Sequence, residues 1–213
     1  MGRLDWDQNA YYHRMLMRHL PLPCGQVLDV GCGAGSFAAE LATRADHVDA
    51  LDREPAMIKE ARRAVPANVT CILADVLHEP LQEARYDAIV SISALHHMPL
   101  DDVLPRLASA LRPGGVLTAV ALPRTDLARD LPAEIAGAVG LRLFGAAFAM
   151  LRAAGRGDWY ALKPSHAIMP VVMAPLLSTR QVRRQVAALL PGAQVRRLVF
   201  WRYFLLWQKP ADA

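Results

Sequence analysis

From residue 26 to residue 122 the chain alternates two apolar patterns. Short β-branched runs predict strands: QVLDV (26–30), HVDALD (47–52), VTCILAD (69–75), YDAIVSIS (86–93) and VLTAVALP (116–123). The segments between them carry helical spacing. SFAAELATR sets Phe37, Ala38 and Leu41 on one face. EPAMIKEARRAV repeats apolar positions at 57, 58, 61 and 65 behind Pro55. DDVLPRLASALRPGG reads as a helix stopped by Pro113, Gly114 and Gly115. Strands and helices alternating at this spacing predict right-handed crossovers and a parallel sheet, which binds ligands at the carboxyl ends of its strands.

The rhythm breaks over 123–178, a proline- and glycine-containing stretch with no clear strand, read as a helical insertion. It resumes with STRQVRRQVAALLPG, a helix capped by Ser178 or Thr179 with Val182, Val186 and Leu189 on one face. AQVRRLVFWRYFLLWQKP then gives two closely spaced aromatic and β-branched runs, an antiparallel hairpin closing one sheet edge. NAYYHRMLMRHL, ahead of the first strand, reads as a helix. The resulting organisation is one α/β domain over 1–213. It comprises an amino-terminal cap helix (1–24), a core (25–122), an insertion acting as a lid (123–178), and a closing helix and hairpin (179–213).

Composition narrows the class. At 213 residues and 54% hydrophobic content the chain can bury a substantial core. The net charge is +4, but its arginines are scattered and no contiguous basic run points to nucleic acid. Cys24, Cys32 and Cys71 are isolated, which fits neither a disulfide framework nor a metal site. They read as small buried hydrophobes in a reducing cytoplasm, the expected location. MGRLDWDQNA lacks a signal-peptide apolar region. The longest apolar stretch, 133–151, carries Glu134, Arg142 and several glycines, so a membrane span is rejected. A transient membrane-surface contact through it stays open.

The chemistry begins at VLDVGCGAG (27–35), where Gly31, Gly33 and Gly35 follow a strand directly. Glycines there let a ligand approach the backbone at a helix start. The dinucleotide fingerprint puts Gly or Ala three places after the second glycine, where this chain has Ser36; the loop is GxGxG instead, preceded by Asp29. An acid at that strand end repels a pyrophosphate and suits a ligand with an ammonium group. VLDVGCGAG resembles the first motif of the class I S-adenosylmethionine-dependent methyltransferases, small-molecule type. HVDALDREPAMI, CILADV, YDAIVSISALHH and LRPGGVLTAV resemble the motifs that follow, in the same order. The resemblance implies a mostly parallel, seven-stranded Rossmann-like sheet, with S-adenosylmethionine as cofactor and S-adenosylhomocysteine as product.

It also implies site residues. Asp29, Gly31 and Gly33 would hold the methionyl part. Asp52 would accept the ribose hydroxyls, Arg53 and Met57 would flank the adenine, and Asp75 and Val76 would meet its edge. Ser91, on the fourth strand, and His13 are further candidates at the cofactor. Taken singly, Asp52 reads equally as a strand-end turn residue and Asp75 as a helix cap. His96 and His97 are candidates for a catalytic base or a substrate hydrogen bond, with packing under the sheet edge the alternative for either. Tyr12, on the first helix, is a third catalytic candidate that could pair with His97; the alternative is an ordinary amphipathic helix with Tyr11, Met15 and Leu16 in the core.

No metal is expected. The implied reaction is in-line methyl transfer to a small apolar or aromatic acceptor. A cyclase or rearrangement enzyme on the same scaffold, and a quinone or lipid methyltransferase at a membrane surface, are the alternatives. The insertion, with Leu143, Phe144, Phe148 and Met150, would cover the acceptor or else form core or a dimer face. Trp159, Tyr160 and His166 would line the mouth. Monomer and homodimer are both open.

Overall fold

A computed structural model of the chain describes residues 4–163 and 175–211. His166 lies outside the described residues. Helix α1 (Gln8–Met17) leads into β1 (Gln26–Val30), α2 (Ser36–Leu41), β2 (His47–Asp52), α3 (Pro55–Ala64) and β3 (Val69–Leu73). Then come β4 (Tyr86–Ile92), a single helical turn at Leu95–His97, α4 (Leu100–Ala110) and β5 (Leu111–Ala121). Helices α5 (Leu127–Ala153) and α6 (Thr179–Leu189) precede the closing strands β6 (Gln194–Leu198) and β7 (Arg202–Gln208).

The sheet has seven strands in the order β3-β2-β1-β4-β5-β7-β6. Neighbours from β3 to β5 run parallel, and β7 runs antiparallel to both β5 and β6. The order reverses between β1 and β4, and such a reversal opens a crevice above the strand ends. Helices cover both faces. Leu16 of α1, Phe37, Ala38 and Leu41 of α2, and Ile58 of α3 are buried in one core with Val27, Val48 and Val90. Val103, Leu104 and Leu107 of α4 join Val182 and Val186 of α6 in the other core, with Leu28, Ile89 and Leu117.

Local signals place most boundaries. Pro55 occupies the first turn of α3, where a missing N–H costs nothing. Ser178 caps α6 and shares a reciprocal capping box with Gln181. Two boundaries differ from expectation. The helix before the Pro-Gly-Gly turn ends at Ala110, and the turn itself belongs to β5, because Leu111 pairs with Tyr86 before the register shifts. The insertion begins as one 27-residue helix, α5, rather than a broken lid. Pro132 lies near its start, where few helical hydrogen bonds are lost.

Helix α5 lies against the amino-terminal segment and the β6–β7 turn. Trp6 meets Phe148 edge-on at 5.2 Å and Phe200 at 5.1 Å, and Tyr160 packs on Phe148 at 5.0 Å. Phe148 is buried in this cluster.

Candidate active site

Six chain segments converge on a cavity of about 220 Å³ above the carboxyl ends of β1–β4. Its wall includes Asp29, Gly31, Gly33, Asp52, Arg53, Met57, Asp75, Val76, His13 and His97. The glycine loop is shaped by two demands. Gly31, Gly33 and Gly35 all have positive φ, which side chains with a Cβ rarely adopt. A Cβ on Gly31 would also collide with Ala94, just past β4. The loop is tied to β2: the N–H groups of Gly31 and Cys32 donate to the Leu51 carbonyl at 2.8 and 3.0 Å.

Asp52 ends β2 and accepts two backbone N–H groups, from Gly33 at 2.8 Å and Glu54 at 2.9 Å. These bonds fix the carboxylate on the cavity wall and bind it to the glycine loop. Asp75 follows β3; its Oδ1 accepts the N–H of Leu77 at 3.0 Å. The turn roles open to these two acids are therefore real, and both acids nevertheless face the cavity.

Asp29 is different. It is 1% exposed, and its Oδ2 has no hydrogen-bond partner among the described residues. Burial, aided by the nearby Asp52 charge, pushes its pKa up from 3.8 to about 8. A buried carboxyl oxygen without a partner, on a cavity wall, is a place for a donor the protein does not supply.

Helix α1 closes the cavity from above with Asn9 and His13, four residues apart on one face. The His13 ring stacks on Phe37, 4.5 Å between centroids, and its Nδ1 is 2.8 Å from the Glu40 carboxylate. Tyr12 is turned about 100° from His13. It is buried, and its hydroxyl donates to the Val199 carbonyl at 2.5 Å. It does not line the cavity, and burial raises its pKa. The Tyr12–His97 pairing is therefore not formed; the turn of the helix points the phenol at the β6–β7 connection.

Ser91 is also absent from the cavity wall. It is fully buried in β4, and its hydroxyl donates to the Val30 carbonyl at 2.8 Å, so it serves the β1–β4 seam. The two histidines separate. His97, half-buried, faces the cavity, and burial plus the Arg53 charge lower its pKa from 6.5. His96 is buried and faces a small apolar cleft with Leu100, Leu122, Val182 and Tyr203. Their rings lie 3.8 Å apart.

Several wall residues carried no sequence signal of their own. Ser93 adopts φ 55°, and its hydroxyl donates to Asn9 Oδ1 at 2.8 Å, which ties α1 to the end of β4. Asp7 and Lys163 also line the wall. Among the described residues of 123–178, Lys163 alone reaches it. Phe148 does not, and Trp159 stacks on Phe148 at 6.2 Å instead. The described aromatic residues of the insertion thus form a separate cluster, in which α5 packs on Trp6 and Phe200.

A family model described as a methyltransferase domain matches residues 27–115. An uncharacterized methyltransferase of Mycobacterium tuberculosis is 33% identical over 210 residues, covering 96% of this chain and 98% of that protein. The chain belongs to the class I S-adenosylmethionine-dependent methyltransferases. A ubiquinone biosynthesis O-methyltransferase of Xylella fastidiosa is 34% identical over 117 residues, 52% of this chain and 47% of that protein. Among solved structures, the DhpI–SAH complex superposes with a TM-score of 0.62 at 19% identity, over 96% of this chain and 85% of that one. N-methyltransferase NodS from Bradyrhizobium japonicum gives 0.57 at 17% identity, over 94% and 96%. These two likenesses bear on the fold.

The cavity of this methyltransferase fits the family's cofactor on its own chemistry. The unpartnered Asp29 Oδ2 suits an ammonium group, and the pinned Asp52 carboxylate keeps lone pairs for hydroxyls. Leu51, Met57 and Val76 add apolar wall for a base.

Proposed function

We propose that this methyltransferase moves a methyl group from S-adenosylmethionine to a small apolar or aromatic acceptor held above the end of β4. The observation that carries the reading is the order of polar groups across the sheet. Asp75 after β3, Asp52 on β2, Asp29 on β1, and Ser93 and His97 after β4 follow the strand order β3-β2-β1-β4. Neighbouring strands are about 4.8 Å apart, so the three acids span on the order of 10 Å, the reach of an extended nucleoside carrying an amino acid. The acceptor then belongs over β4, beside His97.

When bound, S-adenosylmethionine supplies an activated methyl group on a sulfonium. The protein's part is positioning and proton handling. Asp52 and Asp75 would orient the nucleoside, and Asp29 would hold the ammonium. Aligning the reacting atoms at about 3–3.5 Å can lower the barrier by several kcal/mol. Burial and the Arg53 charge lower the pKa of His97 from its ordinary 6.5, which favours the neutral imidazole. A neutral imidazole can accept the proton of a hydroxyl acceptor as it attacks, or of an ammonium acceptor before the freed amine attacks.

Two measurements test this. Asp52→Ala is expected to weaken S-adenosylhomocysteine binding at least about tenfold, since each lost ribose hydrogen bond costs roughly 1 kcal/mol. Unchanged affinity by calorimetry would remove Asp52 from the nucleoside site. His97→Ala is expected to lower turnover roughly 10²-fold on a proton-bearing acceptor, with cofactor affinity kept. In the wild type, the acid limb of kcat should lie below pH 6.5, in line with the lowered pKa of His97, and should vanish in the variant. Lost thermal stability without a specific rate loss would make His97 a structural residue.

A further inference from the structure

Helix α5 is apolar on both its inner and its outer face, unlike a helix on a water-exposed surface. Such helices put large apolar side chains toward the body and polar ones outward. In α5 the residues turned inward include glycines. Gly137 and Gly145 are buried, a Cβ on Gly137 would sit 3.8 Å from the Trp201 ring, and one on Gly145 would collide with the Leu4 carbonyl. Leu141 and Leu151 pack against the core, but five other large apolar residues point out: Leu131, Ile135, Val139, Leu143 and Met150 are 53–67% exposed. They recur at near four-residue spacing from 131 to 150, a stripe of about 30 Å at 1.5 Å per residue.

The charges add to this outer apolar face. The two acids, Asp130 and Glu134, turn inward: Arg197 pairs with both, and the Trp201 indole N–H donates to Glu134. Between residues 130 and 153 the exposed charged residue is Arg142. By length and composition alone, the helix is apolar enough to cross a membrane, yet only 17% of its apolar window is buried. The sequence expectation rejected a span on Glu134, Arg142 and the glycines. Glu134 is neutralised in an ion pair, and the glycines make the close packing. Since Trp6, Phe148 and Phe200 fasten the helix along the domain, it lies on the body rather than passing through a bilayer.

We infer that the outer face of α5 docks this methyltransferase on the surface of a lipid bilayer, with the aliphatic stripe in the interfacial layer. Small residues toward protein and large aliphatics outward is the arrangement of helices that meet lipid. A second protein surface would be expected to find hydrogen-bonding groups at about one per 100–200 Å². Here Arg142 is the exposed charge, and its long stem lets the guanidinium reach anionic headgroups while the stripe is buried. Helix α1 links the face to the site. Asn9 and His13 line the cavity, and Tyr11 packs on Phe144 of α5 at 6.0 Å. A docked α5 would hold the α1 wall of the cavity close to the lipid surface.

Co-sedimentation of the full chain with vesicles of phosphatidylcholine and phosphatidylglycerol tests this without an acceptor. The wild type should pellet with the vesicles, and Ile135→Glu with Leu143→Glu should reduce the partition at least roughly tenfold. S-adenosylhomocysteine affinity, measured on the same samples, should stay unchanged, since neither position lines the cavity. A wild type that stays in the supernatant overturns the proposal. So does an equal partition of wild type and variant. A dimer in lipid-free buffer that the same substitutions dissociate, without vesicle binding, assigns the face to a second copy instead.

Discussion

Replacing Asp29 by Asn is expected to raise the unfolding temperature of the ligand-free protein at pH 8 while weakening S-adenosylhomocysteine binding about a hundredfold. Both effects come from one buried carboxyl. In the fold its pKa is about 8, against an ordinary 3.8, because burial disfavours the charge. Between those two values the folded chain holds a proton that the unfolded chain has released. Folding stability therefore falls as pH rises from about 4 to about 8, by on the order of 5 kcal/mol for a displacement this large. Asparagine carries no charge to bury, although its amide brings a donor that lacks a partner, at about 1–3 kcal/mol. The net gain at pH 8 should shift the midpoint upward by about 5 °C or more for a chain of this size.

The same substitution removes the negative partner of the ligand's ammonium group, a charged hydrogen bond of about 1.5–3 kcal/mol. Scanning calorimetry at pH 5 and pH 8, with titration of the ligand at pH 8, reads both effects. At pH 5 the stabilisation should shrink, since the native carboxyl is then protonated. If wild type and variant share one pH dependence of stability, the carboxyl is already ionised in the fold. If the affinities match, Asp29 does not hold the ammonium.

Phe148→Ala should destabilise the protein by about 3–5 kcal/mol and leave cofactor affinity within a factor of a few. The ring is 7% exposed and sits among Trp6, Phe144, Trp159 and Tyr160, so truncation opens a cavity that four rings cannot fill. Phe148 lies outside the cofactor cavity, and its loss should be felt as loosening of α5 from the amino-terminal segment. Denaturant unfolding beside ligand titration checks it. A stable variant with an altered acceptor range would return the residue to the acceptor lid, the role its apolar surroundings in the sequence suggest. Trp159 is 42% exposed and should cost much less.

The two residues show why local pattern reaches some features and misses others. Asp29, Gly31 and Gly33 are legible because one strand and its turn fix them: the strand ends, the chain must bend, and the bend takes positive φ, which glycine adopts freely. Asp52 and Asp75 are legible for the same reason, as acids ending consecutive strands. Tyr12 and His13 were not separable by sequence, since adjacent helical residues differ by about 100° and the helix rotation is set by what packs under it. Phe37 beneath His13 and Val199 beyond Tyr12 set that rotation. His96 and His97 posed the same problem on one helical turn.

The sequence by itself determined the α/β alternation, the parallel sheet with its closing hairpin, and the glycine loop with its row of strand-end acids. Those features depend on residues near one another in the chain: apolar period, turn chemistry and backbone φ. Only the tertiary structure decided which side chains share the cavity. It sent Ser91 into the β1–β4 seam, brought Asn9 to Ser93, and laid α5 on Trp6 and Phe200 with its aliphatic face outward. Those outcomes are set by packing between segments up to nearly two hundred residues apart, as in the bond between Tyr12 and Val199. No local periodicity encodes such pairings, because each depends on which surface the rest of the fold leaves free.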